Sequence, residues 1–394
     1  MRIVDALYGS FELPGYLDGL LMSPEFRRLT EVRLININSP SLSSLSETRR
    51  YSHTLGVLHL ALCNPMLNFG PEEHRAVLAA IVVHDVGTPA FAHLFEYFLS
   101  DRFDWDHESV IPELLQGSER LDPKATQIFF AQQPKFLKLC EKANIDQGLV
   151  ISILEGNHPA SKLIFGSVDY DNIDNVARMN WMLGKKIDVS MLKDLASGLG
   201  ATISHDLELE AFHRDNLLYW MKLRKAAYDI LVFDGPTVAA QAVLSDAIQT
   251  SLESGALNLE DWTYSDHELV EALRMSSPKT KAMLDRDFIG EIPKLVMCKH
   301  VQFCDHRLFE LSRDQIALLI KNYLEHRRVS GRTYGYSFRD KGTFNKRIVA
   351  WDPRTESEWE LGERSNSLIV YGFSTSAARL DPAILGNDFL DWSA

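Results

Sequence analysis

His53, the adjacent pair His84-Asp85 and the acidic run Val168-Asp169-Tyr170-Asp171-Asn172-Ile173-Asp174 are the residues of this chain whose types suit chemistry best. Two imidazoles and two carboxylates make a mixed nitrogen and oxygen donor set. Such a set fits a divalent cation that must also hold water and phosphate oxygens, and differs from the thiolate-rich closed set of a structural zinc site. An ion with open positions does hydrolytic chemistry. Within the acidic run, Asp169, Asp171 and Asp174 are rival carboxylates.

The elements that must position these residues read as helices. Ser23-Pro24-Glu25 is a helix start with proline at the first position. A helix carries Arg50 to Cys63, and another runs from Pro71 to Asp85 with the all-apolar stretch Ala79 to Val83 near its end, the mark of a buried helix. Gly87 and Pro89 stop it, which leaves His84 and Asp85 held rigidly at the helix end. Further helical patterns cover 107–116, 122–142, 146–155, Asp171 to Leu183, Arg214 to Phe233 and Pro236 to Leu252. Ser265-x-x-Glu268 is a capping box that opens a last helix ending near Met275. Past residue 285, Ile292 to Phe303 and Arg332 to Tyr371 turn rich in β-branched and aromatic residues, so a small α+β region is expected there. The expected fold class is mainly α.

Composition narrows the function classes. The 394 residues, 45% hydrophobic and 24% charged, suffice for one large domain and a smaller appendage. With 54 acidic against 41 basic residues the net charge is −13, which argues against an extended nucleic-acid surface. A nucleotide remains an acceptable ligand, because a metal and a few local cations can hold an anion inside an acidic protein. No apolar stretch approaches the ~20 residues that span a bilayer. The opening Met1-Arg2-Ile3-Val4-Asp5 lacks a signal-peptide layout, and Cys63, Cys140, Cys298 and Cys304 read as free thiols of a reducing compartment, so a cytoplasmic protein without membrane contact is expected. Cys298-x-His300 and Cys304-x-His306 match no standard zinc-finger spacing.

Four motifs occur in order: Arg50-Tyr51-Ser52-His53, His84-Asp85-Val86-Gly87, Phe91-Ala92-His93 and Trp105-Asp106-His107-Glu108. In this order, RxxH, HDxG, FxH and WxHE resemble the HD-domain phosphohydrolase superfamily, above all its sterile-alpha-motif/HD-domain members and the bacterial deoxynucleoside triphosphate triphosphohydrolases. The resemblance spans roughly residues 1 to 275, including Pro24 to Leu29 and Leu223-Arg224-Lys225-Ala226-Ala227-Tyr228. It implies an HD-type domain over 1–285, with the metal site within 50–180; the α+β region read from composition over 286–394, with no Pro/Gly linker before it, is expected to pack on that core. It selects Asp171, because Asp171-x-x-Asp174-x-x-x-Arg178 aligns with the family pattern, and so implies His53, His84, Asp85 and Asp171 as ligands of one divalent ion (Mn, Fe, Mg, Co, Ni or Zn). It implies His93, His107 and Glu108 as catalytic groups, with His107-Glu108 as an acid/base pair. Asp174 is implied to orient a ligand or substrate group, and Arg50, Arg178, Arg224 and Lys225 become phosphate groups, Arg50 by bidentate hydrogen bonds. A homo-oligomer is implied as well.

The chain departs from the family where substrate is read. Thr88 stands in place of a second histidine, Leu34 of a glutamine, Asn172 and Asn175 of a lysine and a tyrosine, and Met179 of an aspartate. The leading expectation is hydrolysis of a (deoxy)nucleoside triphosphate by attack of metal-activated water on phosphorus. The alternatives are hydrolysis of a nucleoside mono-, di- or cyclic phosphate, and a nucleotide-binding regulator with little turnover.

Overall fold

The computed structural model describes residues 1–36, 39–66, 69–116, 135–202, 204–302, 306–376 and 381–393. Cys304 and most of the helical pattern expected over 122–142 lie outside them; Lys135–Lys142 is a helix. The chain is mainly α, with a small antiparallel sheet toward its C-terminal end.

Helix α1 (Pro24–Arg28) starts at Ser23, whose hydroxyl accepts the Phe26 amide hydrogen at 3.3 Å. Helices α2 (Arg50–Cys63) and α3 (Pro71–Val83) are apolar nearly all round and lie side by side in the core, with Ala76 to Val83 wholly buried. Two short helices, α4 (His93–Phe103) and α5 (His107–Gln116), follow at the end of α3. Helix α6 (Tyr170–Met182), capped by Asp169, packs across α2, and the long α7 (Arg214–Phe233) and α8 (Gly235–Glu253) close the body. Both bonds of the capping box before α9 (Asp266–Ser276) are formed, between Ser265 and Glu268.

The N-terminal residues correct the all-helical expectation for this end of the chain. Strands β1 (Arg2–Asp5) and β2 (Gly9–Glu12) form a hairpin with Arg2 opposite Glu12 and Asp5 opposite Gly9. Gly9 sits at φ +78°, a left-handed conformation that glycine adopts freely. Asp5 accepts the amide hydrogens of Leu7 and Tyr8 on one carboxylate oxygen, which makes the tight turn.

Strands β3 (Lys294–Val301), β4 (Thr333–Asp340) and β7 (Ser367–Ser374) form a sheet in the order β3-β7-β4, while β5 (Ile348–Asp352) and β6 (Ser357–Leu361) pair as a separate hairpin. Central β7 is buried at every position. Its alternation divides two cores: Leu368 and Val370 join α10 (Arg313–His326) and α11 (Pro382–Ser393), whereas Ile369, Tyr371 and Phe373 join the main helical core. Among the described residues, no helix is long and apolar enough to cross a membrane.

Candidate active site

The ends of α2, α3 and α6 bring one donor atom each from His53, His84, Asp85 and Asp171 within 4.8 Å of one another. His53 lies one turn into α2, His84-Asp85 directly follow α3, and Asp171 lies in the first turn of α6. The three rival aspartates separate by position. Asp169 caps α6, accepting from the Asn172 amide at 2.6 Å. Asp171 faces the histidines. Asp174, one turn on, stands behind His53.

Each imidazole is oriented from its far side. Nδ1 of His84 is 2.7 Å from the Ile81 carbonyl oxygen, and Nδ1 of His53 is 2.7 Å from Asp174 Oδ2. With Nδ1–H donated outward, each Nε2 lone pair is left for the centre, where both nitrogens approach Asp171 Oδ1, at 2.6 Å from His53 and 3.3 Å from His84. Asp85 completes the set. Its Oδ1 accepts from Arg50 Nη1 at 2.5 Å and from the Thr88 hydroxyl at 3.1 Å, while its buried Oδ2 has no hydrogen-bond partner. A buried carboxylate oxygen without a partner is costly unless a cation faces it. The two Nε2 atoms, Asp171 Oδ1 and this Oδ2 therefore fit a hard or borderline divalent ion.

Charge is concentrated here. Burial pushes the His53 imidazole down, but the carboxylates of Asp171 and Asp174 outweigh it and hold it at about 9. Burial would raise Asp85, yet Arg50 and His84 keep its carboxyl far below the usual range. A divalent ion would displace the His53 proton, so its binding weakens as pH falls.

A second group adjoins the first. Glu96 on α4 accepts from Nδ1 of His93 at 2.7 Å with one oxygen, and with the other from both Nδ1 and the backbone amide of His107. The carboxylate expected to pair with His107 was Glu108; Glu108 is exposed, and Glu96 takes that place. The signal for Glu96 is its spacing, since His93-x-x-Glu96 places both side chains on one helix face. Burial lowers His107, but Glu96 outweighs it and raises the imidazole. Burial likewise opposes ionisation of Glu96, and the two histidines hold it far below the usual carboxylate range. Arg50 lies between the two groups, feeling both Asp85 and Glu96, and its buried Nε–H has no acceptor.

Two glycines permit these contacts. A Cβ on Gly56 would stand 2.0 Å from Asp174 Oδ1, and one on Gly87 would stand 2.6 Å from the His107 carbonyl oxygen. Arg28 of α1, buried, donates to the Thr88 carbonyl at 2.8 Å and to the carbonyls of Trp262, Thr263 and Tyr264, fixing the turn after Asp85 to the segment before α9.

Three cations expected at the substrate stand elsewhere, while Asp174, expected to orient a ligand or substrate group, orients the ligand His53. Arg178 is buried and locked to Asp174 at 2.9 and 3.0 Å and to Asp5 at 3.0 Å, so it and Asp174 support His53 from behind and have no free face for a phosphate. Arg224 is drawn to the Gly342 and Thr343 carbonyls with its guanidinium over Tyr228, and half-exposed Lys225 pairs with Asp229 at 2.8 Å. Among the departures, Thr88 is fully buried against Asp85, and Asn172 binds the Asp169 carboxylate. His300 bonds Ser367, not a cysteine.

No family model matches the chain. It is 25% identical over 293 residues to a Dictyostelium discoideum protein named deoxynucleoside triphosphate triphosphohydrolase SAMHD1 homolog, a match that covers 66% of this chain and 53% of that protein. The chain thus spans about half the length of this relative. A solved phosphohydrolase of Bacteroides thetaiotaomicron shares the fold at a TM-score of 0.63 and 16% identity, over 94% of this chain and 99% of the other. So does a hypothetical protein of Aquifex aeolicus, at 0.66 and 14%, over 95% and 96%. The chain thus shares its fold with a solved phosphohydrolase and, over 66% of its length, part of its sequence with a relative named a triphosphohydrolase.

Proposed function

We propose that the chain is a metal-dependent phosphohydrolase acting on a nucleotide, with a deoxynucleoside triphosphate as the first candidate substrate. The observation that carries this is the convergence of four donors around the unpartnered Asp85 Oδ2, beside a carboxylate-bridged pair of histidines. His53, His84, Asp85 and Asp171 would hold a divalent ion, which would supply positive charge against phosphoryl oxygens and lower the pKa of water. The chain's own residues supply the rest. Asp174 and Ile81 fix the two ligand imidazoles, and Arg50, whose buried Nε–H has no acceptor, fixes Asp85. His107, kept protonated by Glu96, holds a proton for the leaving oxygen, and His93, exposed on the same carboxylate, exchanges it with solvent. The name of the Dictyostelium relative supports the deoxynucleoside triphosphate.

A second reading, hydrolysis of a mono-, di- or cyclic phosphate, is favoured by Thr88, whose buried hydroxyl serves Asp85 where the family offers an imidazole. The test is a nucleotide panel with Mn²⁺, Mg²⁺, Fe²⁺ and Co²⁺, products read by phosphorus NMR. Inorganic triphosphate supports the first reading; orthophosphate, or a linear nucleoside monophosphate from a cyclic one, supports the second. Binding with no product from any pair leaves only a regulator. Elemental analysis of the double variant His84→Ala, Asp85→Ala should show loss of the ion, and retained metal would overturn the ligand set.

A further inference from the structure

His93 begins α4 directly after two non-glycine residues at positive φ, Phe91 at 53° and Ala92 at 50° with ψ −132°. Both are fully buried. Side chains rarely adopt this backbone, and it persists only where the surroundings over-determine it. One surrounding group stands out. Asp266, at the first position of α9, is buried and accepts the Phe91 amide hydrogen on Oδ1 at 2.8 Å. The Phe91 ring itself lies under the Arg33 guanidinium at 5.4 Å and edge-on to Phe288.

The other oxygen of Asp266 reaches a different part of the site. Oδ2 accepts from the Arg33 backbone amide at 3.0 Å, from Arg33 Nη1 at 3.3 Å and from Arg49 Nη1 at 3.2 Å. Arg33 and Arg49 also form a β-bridge, and the Arg50 amide donates to the Val32 carbonyl at 3.0 Å. The next residue in that segment is therefore Arg50, the partner of Asp85. The capping box of Ser265 and Glu268 fixes the backbone from which Asp266 projects, and Arg28 ties the carbonyls just before it to the turn after Asp85.

We propose that Asp266 is a positioning residue for the proton-handling half of the site: one buried carboxylate holds both the strained turn that presents His93 and the arginine segment that presents Arg50. It touches no donor of the metal set and is linked to Asp85 only through Arg50, so its effect falls first on the orientation of His93. The inference rests on the reading of His93 and His107 as proton-handling groups.

The test compares Asp266→Ala and Asp266→Asn with wild type in the full chain. Asparagine retains an acceptor for the Phe91 amide but loses the charge opposite Arg33 and Arg49. With the Mn²⁺-loaded enzymes on the nucleotide that wild type hydrolyses, kcat of Asp266→Ala should fall about 10- to 100-fold, the usual cost of a small misplacement of a catalytic group. KM should move less than about 3-fold, metal per chain should stay constant, and Asp266→Asn should fall between. In the Mg²⁺ form, ring NMR resonances of His93 should shift while those of His53 and His84 stay. Unchanged kcat and His93 resonances in a folded variant would overturn the proposal, as would kcat and metal content falling in proportion. If Asp266→Ala does not fold, Asp266→Asn decides by the same readouts. If wild type hydrolyses no nucleotide, the functional reading fails, and the His93 resonances still decide the positioning role.

Discussion

Glu96 binds two histidines through one carboxylate, and this arrangement has a pH signature. The folded His107 imidazole titrates above its ordinary value of ~6.5 because Glu96 outweighs burial. A raised histidine contributes stability that is complete below ~6.5 and is lost as pH rises through the folded value. A general acid follows the same direction, so kcat should fall on the alkaline side as His107 loses its proton. Glu96→Gln removes the opposing charge, lowers the His107 value and should move that alkaline limb to lower pH, with metal content unchanged. A kcat–pH profile reads this, and a superimposable limb in the variant would rule out His107 as the acid. At this scale, the histidines and Asp85 are legible in the sequence because they sit in short motifs of fixed spacing. Glu96 is less so, since a glutamate on an exposed-looking helix has many roles and Glu108 lay nearer in sequence. Arg178 misleads for a physical reason: an arginine two turns from the ligand Asp171 looks like a phosphate group until two buried carboxylates, Asp5 and Asp174, are seen to occupy it.

Between helices, contact distance decides what can be substituted. Gly56 and Gly87 each let one element approach another closely, and they guard different functions. Gly56→Ala pushes into Asp174 and Arg178 behind His53, and should lower metal content. Gly87→Ala pushes on the His107 carbonyl, 2.6 Å away, and on Val110 at 2.9 Å, so α5 must move. Overpacking of this kind costs about 1–3 kcal/mol. The expected result for Gly87→Ala is retained metal with reduced kcat and a lower midpoint in urea. Both variants losing metal alike would show that the two glycines serve one frame. Helices α2, α3, α6, α7, α8 and α9 are legible from periodicity and caps, the capping box of α9 with both its bonds. The β1–β2 hairpin is not, because four-residue strands carry too little alternation to announce themselves and this one is fixed by the distant pair of Asp5 with Arg178.

Across the whole molecule, the C-terminal sheet completes the helical core. Ile369, Tyr371 and Phe373 of β7 belong to that core, the Tyr371 hydroxyl donates to the Val232 carbonyl at 2.8 Å, and Tyr334 and Arg332 both bond Asp287. Ending the chain after residue 285 would uncover this apolar face, and an exposed patch of that kind drives association. The shortened chain should elute as aggregate in size-exclusion chromatography and lose its near-ultraviolet dichroism; a monomer that keeps both would show that the helical part stands alone. Strand content here is legible from the β-branched and aromatic composition, whereas the β3-β7-β4 order is not, since it pairs residues some seventy positions apart. One contact described above also sets a timetable. Asp5 and Arg178 are 173 residues apart and meet directly behind His53. During synthesis at about 5–20 residues per second, the hairpin waits roughly ten to thirty seconds for the arginine that neutralises it. Until α6 has left the ribosome, His53 has neither Asp174 at its back nor Asp171 at its front. A nascent chain carrying His84 and Asp85 alone would offer only a weak, partial grip on an ion, so metal capture waits until α6 has emerged and packed on α2.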